Sequence, residues 1–264
     1  MTQPLKLVSK ARIVSQAVAV GKHVWVIGGW NPSDQATGGI LGDLWCLDTE
    51  SHRWSQVAPA GEPLPPISRF QACAVGSLIY IHTHRSLEDV LVLDTATQPP
   101  TLSKVAVMPD PRHGAPSARG LHSMTLVGSK LVIFGGAPQR GPMLADLWAL
   151  DTAQHPLRWQ ALAPEGPSPH ARCSQGAAAL GTQLVIIGGS YYREDGRGLQ
   201  PLGDCWALDT QALKWQQLQI EGDQPEPRNA AVLAALGGRR LVYHGGWKPF
   251  RETYNDTYVM KLQA

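Results

Sequence analysis

The sequence predicts an all-β fold: a five-bladed β-propeller with four antiparallel strands per blade. Three observations predict it. A glycine pair recurs at Gly28-Gly29, Gly135-Gly136, Gly188-Gly189 and Gly245-Gly246, each ending a short apolar run. The pairs stand about 55 residues apart, with a doubled interval after the first, which is the mark of a repeat architecture. No stretch keeps a 3.6-residue apolar period, whereas runs of four to six β-prone residues, separated by Gly, Pro, Asp, Asn or Ser, recur throughout.

The elements follow in order. The runs ending in glycine are Val24–Ile27, Leu131–Phe134, Leu184–Ile187 and Leu241–His244. The doubled interval predicts a copy that has lost its glycines, with Leu78–Ile81 as the run and His82-Thr83 in place of the pair. An earlier run such as Gln16–Val20, Ser123–Val127 or Gly176–Leu180 leads through a turn at Gly21, Gly128 or Gly181. After each pair and a variable gap comes Asp43–Thr49, echoed by Asp89–Thr95, Asp146–Thr152 and Asp204–Thr210. The last copy keeps Asp256 and loses the second Asp. A Trp opens the fourth run at Trp54, Trp159 and Trp215. The repeats cover 11–61, 66–108, 117–166, 170–222 and 226–262, forming one domain. The fifth stops after its third strand. The orphan run Leu5–Val8, within residues 4–9, is expected to pair with Thr257–Leu262 and complete the last blade, removing two exposed sheet edges.

Composition bounds the reading. The 27 glycines and 21 prolines in 264 residues fit a turn-rich all-β fold, and 43% hydrophobic content argues against disorder. A net charge of +2 does not point to nucleic acid or an anionic membrane. No run is apolar for long enough to span a bilayer, and the N-terminus lacks the apolar core of a secretion signal. Cys46, Cys73, Cys173 and Cys205 have no metal-ligand spacing and read as reduced thiols of a cytoplasmic or nuclear protein. A monomer is expected.

The double glycine, the Asp-x-Trp/Tyr-x-Leu-Asp run and the spaced Trp together resemble kelch repeats over residues 11–262. The resemblance implies blades whose inner two strands flank the glycine turn and whose outer two carry Trp and Asp. Five copies are fewer than the six or seven usual in that family, and the second copy departs most. The resemblance also implies a recognition module that holds a protein or peptide, often with arginines gripping acidic motifs. A second implication is enzymatic. Plant kelch proteins of the nitrile-specifier and thiocyanate-forming group use ferrous iron at Glu-x3-Asp-x3-His. Glu252 and Asp256 match its first two places, and Met260 stands where His is needed. The reading is therefore of no cofactor, with Fe2+ as the alternative.

Candidate site residues gather at one pole. The connections from second to third strand and those between blades leave on the same side, and all the long segments lie there. Each inter-blade segment ends in an arginine: Arg12, Arg69, Arg119, Arg172 and Arg228. All but Arg69 stand at one fixed distance before the next glycine turn. A ring of guanidinium groups at the channel mouth would grip a carboxylate, phosphate or other small anion. The competing reading has them bonding loop carbonyls and the repeat aspartates, because repeated residues usually serve the repeat. Trp30, Tyr191, Tyr192 and Trp247 follow the strand ends and are candidate anchors for a partner, or pack beneath their own loops. His82 and His84, with His122 and His244, are either metal or ligand groups or hydrogen-bonded histidines of a blade junction. No nucleophile-elbow or phosphate-cradling pattern is present.

Overall fold

The computed structural model describes residues 11–34, 38–86, 88–249 and 251–261. The fold class is the expected one, all-β and of the five-bladed propeller type. Two compact units divide the chain, one ending at Val107 and the next starting at Met108.

The first unit holds two blades. In blade 1 the strands Gln16–Val20, His23–Trp30, Ile40–Asp48 and Arg53–Val57 pair in sequence order. Blade 2 does the same with Gln71–Val75, Leu78–His82, Asp89–Asp94 and Thr101–Ala106. The short strand Ala60–Gly61 runs parallel to the outermost strand of blade 2. The second unit holds blades 3, 4 and 5. Blade 3 is Ser123–Val127, Lys130–Gly136, Leu144–Asp151 and Trp159–Leu162. Blade 4 is Gly176–Leu180, Gln183–Ile187, Cys205–Asp209 and Lys214–Leu218. Blade 5 shows Val232–Gly237, Arg240–His244 and Thr257–Lys261 among the described residues. The run expected to complete it, Leu5–Val8, lies outside the described residues, as does Leu262.

Packing explains why the second strands are continuously apolar. In blade 4, Leu184 and Ile186 join Val132, Phe134 and Trp215 in one core cluster. Val185 and Ile187 point the other way, to Leu233, Leu241 and Tyr243. A strand whose alternate residues are both buried carries no polar face. Each such side chain contributes roughly 1.5–3 kcal/mol by leaving water. In the first unit Ile27, Leu44, Phe70, Ile79 and Leu93 form the corresponding cluster between blades 1 and 2.

The Asp-Thr that ends the third strand of blades 1 to 4 is a turn device. Asp48 accepts the amides of Glu50 and Ser51 at 2.9 Å, and Asp209 those of Gln211 and Ala212. The Thr hydroxyl donates across to the first turn of its blade: Thr49 to Lys22 O, Thr95 to Ser77 O, Thr152 to Ser129 O and Thr210 to Thr182 O. A local side-chain bond of this kind fixes where a strand stops.

Candidate functional site

The arginine side chains brace their own blades. Arg172 is wholly buried and donates through both terminal nitrogens to the two oxygens of Asp204, at 2.8 Å each. It also donates to the carbonyls of Gly188 at 3.0 Å and His170 at 3.0 Å. Arg119 does the same with Asp146, Gly135 O and Ser117, so each of its five donors meets an acceptor. Arg12 pairs with Asp43 and Gly28 O, and Arg228 with Asp256 and Gly245 O. The indole N–H of Trp45, Trp148 and Trp206 donates to the same aspartates at 2.8, 2.7 and 2.7 Å. In blade 5 Tyr258 replaces that Trp and bonds Asp256. The geometry thus describes the second of the two arginine readings, a framework bonded to loop carbonyls and repeat aspartates.

Electrostatics agree. Burial pushes the Asp43, Asp146 and Asp204 carboxyls up, but the arginine and tryptophan donors outweigh it and hold all three below the usual carboxylate range. For Asp256 the Arg228 hydrogen bond dominates, in the same direction.

The glycines complete the module. Gly135 has φ +66°, and a Cβ there would stand 2.6 Å from Arg172 O of the next blade. Gly136 then donates its amide to that same carbonyl at 2.8 Å. Gly189 and Arg228, and Gly29 and Ile67, repeat this bond.

The last of these bonds corrects two expectations. Ile67, not Arg69, occupies the arginine register of blade 2. Arg69 takes the left-handed position (φ +58°) that Val14, Leu121, Ser174 and Ala230 hold elsewhere, two residues after the arginine. Its side chain is exposed. The second correction concerns the missing glycines. His82 pairs with Gln71 as Ile27 pairs with Gln16 and Phe134 with Ser123. It is therefore the last residue of the second strand, and Thr83-His84 stand at the glycine positions. The first shift is two residues and the second is one, and the fixed distance from arginine to glycine turn is the signal that finds Ile67.

The histidines differ in exposure. His82 and His122 are buried, whereas His84 and His244 are exposed, the latter bonded to Thr257. Burial, then the neighbouring Arg85, lowers the His84 pKa. Among the described residues no three His, Cys, Asp or Glu side chains gather as a metal site. Iron does not fit the Glu252–Asp256 pair. Both Asp256 oxygens face Arg228, Glu252 accepts the Tyr254 hydroxyl at 2.7 Å, and Met260 is buried in the core. All four cysteines are free, and burial pushes the Cys205 thiol up to about 12, with Asp204 adding to it.

The aromatic candidates divide. Trp30 is half-buried beneath its own loop and donates to Gly38 O at 3.3 Å. Beyond their glycines, blades 4 and 5 add short hairpins where the sequence predicts only loops: Ser190–Tyr192 with Leu199–Pro201, and Trp247–Lys248 with Glu252–Thr253. Tyr191 is half-buried and lies against His170, centroids 4.1 Å apart. Tyr192 is 60% exposed. Trp247 is half-buried in the second hairpin. Tyr254, which follows it, lies 3.8 Å from the Arg228 guanidinium.

Comparison with known proteins agrees with these parts. Residues 101–264 match the model of the KLHDC2/KLHL20/DRC7 Kelch-repeats domain, and residues 15–61 match that of the Kelch motif. The chain is 34% identical to serine/threonine-protein phosphatase BSL2 of Arabidopsis thaliana, over 77% of this chain and 21% of that protein. It is 28% identical to acyl-CoA-binding domain-containing protein 4 of the same plant, over 90% of this chain and 35% of the relative. With Kelch domain-containing protein 3 of Bos taurus it shares 26% identity over 89% of this chain and 61% of that protein. The chain thus spans well under half the length of the two plant relatives. Among solved structures, that of YjhT matches the fold at a TM-score of 0.73, with 15% identity, over 96% of this chain and 82% of that one. Among the described residues no helix is long and apolar enough to cross a membrane. Repeat, framework and family model concur: the chain belongs to the kelch-repeat family.

Proposed function

We propose that this chain is a recognition module that holds a peptide segment of a protein partner, one bearing acidic groups, at the long-loop ends of its blades. A kelch-repeat fold is in general a protein-interaction module. The observation that carries the finer reading is the contrast between the two ends of each sheet. One end closes in two-residue turns such as Gly21-Lys22. The other end carries ordered hairpins that keep Tyr191, Tyr192 and Trp247 out of the core. Aromatic side chains on rigid loops bind with little loss of conformational freedom. In these same segments Arg193 and Arg197 pair with Asp195 and Lys248 with Glu226, whereas Arg251 has no ion pair among the described residues and suits an acidic partner. The four free thiols, three of them buried, suit a reducing compartment, cytoplasmic or nuclear.

The test is selection of displayed random peptides on the whole protein, followed by binding of the winners to a Tyr191→Ala, Tyr192→Ala variant. Selected peptides that bind the variant roughly tenfold or more weakly support the reading. Failure to select any peptide, or equal binding to the variant, overturns it.

A further inference from the structure

We infer that the outer edge of blade 5 is a strand-binding slot with its own sequence preference, and that residues 4–9 of this chain are its occupant. Among the described residues blade 5 has three strands where each other blade has four, so the outer N–H and C=O groups of Thr257–Lys261 face no strand there. A groove of about 770 Å³ runs along that edge, between Leu218 and Ile220 at the end of blade 4 and Tyr258, Met260 and Lys261 of blade 5. One wall is apolar: Leu218, Ile220 and Tyr258 pack against the core cluster that holds Met260.

Register with the other blades says what fits the slot. Ile187 and His244 each precede their glycine pair, and they oppose Cys205 and Thr257. Thr257–Lys261 is therefore the counterpart of Cys205–Asp209, whose outer partner is Lys214–Leu218. Every described fourth strand sets a large apolar residue opposite a leucine: Trp54 with Leu47, Leu102 with Leu93, Trp159 with Leu150 and Trp215 with Leu208. The next residue is exposed: Ser55, Ser103, Gln160 or Gln216. Three residues on from the first stands a second, half-buried apolar one: Val57, Val105, Leu162 or Leu218. Blade 2, where Leu91 stands for the third-strand tryptophan, shows that leucine serves at the first position too. The pattern is apolar, two spacers, apolar, and Leu5-Lys6-Leu7-Val8 meets it.

In that register Leu5 opposes Met260 and Leu7 opposes Tyr258, on the side that packs with Val185 and Ile187 of blade 4. Lys6 opposes Val259, which is 61% exposed, and its aliphatic stem covers it. Pro4 opposes Lys261. That end of the slot is inverted in charge. Asp48 opposes Arg53 in blade 1 and Asp209 opposes Lys214 in blade 4, whereas blade 5 carries Lys261 in the aspartate's place. A basic first residue is repelled there, and the chain supplies an uncharged one. Proline also suits the position, because the first residue of an outermost strand can do without its N–H. Main-chain bonds to the open edge add to the two leucines, and the covalent link keeps the segment at high effective concentration.

The experiment cross-links the whole protein. Lys6→Cys is combined with Val259→Cys and, as a control, with Tyr192→Cys. Both partner sites are exposed, so neither substitution opens the core. Under mild oxidation the first pair should form a disulfide within one molecule, and the control pair roughly tenfold less of it, because the bond needs the two side chains held side by side. Peptide mapping by mass spectrometry separates this bond from any to the native cysteines. The register is tested apart from the cross-link. Pro4→Lys sets like charges opposite each other and should lower the melting temperature by about 1–4 °C, and adding Lys261→Asp should restore it. Absence of the 6–259 disulfide, or equal yield with the control, overturns the slot assignment. A 6–259 disulfide joining two molecules overturns the choice of this chain's own segment as occupant. A Pro4→Lys loss that Lys261→Asp fails to relieve overturns the register.

Discussion

Replacing Arg172 with alanine tests whether the buried arginines are framework. Arg172 is the cleanest of the four, because its side chain is 0% exposed and that of Asp204 only 25%. Removing one member of a buried ion pair strands its partner and costs about 3–5 kcal/mol. Asp204 keeps some access to water, which places the cost near the lower end, ~3 kcal/mol. The carbonyls of Gly188 and His170 lose their donor too, but water entering the emptied space can serve them. For a chain of this size each kcal/mol lowers the melting temperature by about 2–4 °C, so the expected drop is about 6–12 °C. Urea unfolding followed by tryptophan fluorescence and circular dichroism measures it. A cycle with Asp204→Ala isolates the pair, and its coupling should exceed ~1 kcal/mol. The exposed Arg69→Ala serves as control, expected within ~0.5 kcal/mol of wild type. Should Arg172→Ala behave like that control, or the cycle show no coupling, the framework account fails.

Two further outcomes follow from the same geometry. Gly135→Ala places a methyl group 2.6 Å from Arg172 O at a φ of +66°, whereas Gly141→Ala meets nothing within 4 Å at a φ of +98°. Both incur the backbone cost of roughly 1 kcal/mol, but the first should cost at least twice as much in urea unfolding. The four framework aspartates all have folded pKa values below the usual carboxylate range. Such a group contributes stability that is fully present above its unfolded value of about 3.9 and is lost as pH falls through the folded one. The stability gap between wild type and Arg172→Ala should therefore hold steady from about pH 7 to 5 and narrow below about pH 4, read from urea midpoints across that range.

The architecture was legible because it depends on periodic signals. Glycine pairs mark where one blade's backbone touches the next, and the Asp-Thr ending marks a turn closed by two hydrogen bonds. Both need a fixed residue type at a fixed place, so four of the five copies print each of them. The site was harder to read. Arg12, Arg119, Arg172 and Arg228 share a spacing whether they grip a ligand or an aspartate, and only burial separates the two uses. Arg69 was grouped with them because it is the arginine closest to the right place, although the count pointed to Ile67. His82 was set one step too far along because an apolar run does not say which of its ends faces the core. The hairpins after Gly189 and Gly246 left little trace, since strands of two or three residues carry too few positions to show alternation.

The carbonyl of Arg172 faces backwards to Gly136 while its guanidinium reaches forwards to Asp204. One residue thus fastens two neighbouring repeats, like a rivet through overlapping plates. Exchanging its side chain singly would maroon the Asp204 charge, whereas the carbonyl bond survives the exchange, as it does at Ile67. A repeat that departs from the pattern must therefore change several positions in concert, as the second one does. Grafting a different specificity onto this scaffold would accordingly mean transplanting a whole set of residues, with Ile67, Thr83, His84 and Leu91 as the ready-made precedent.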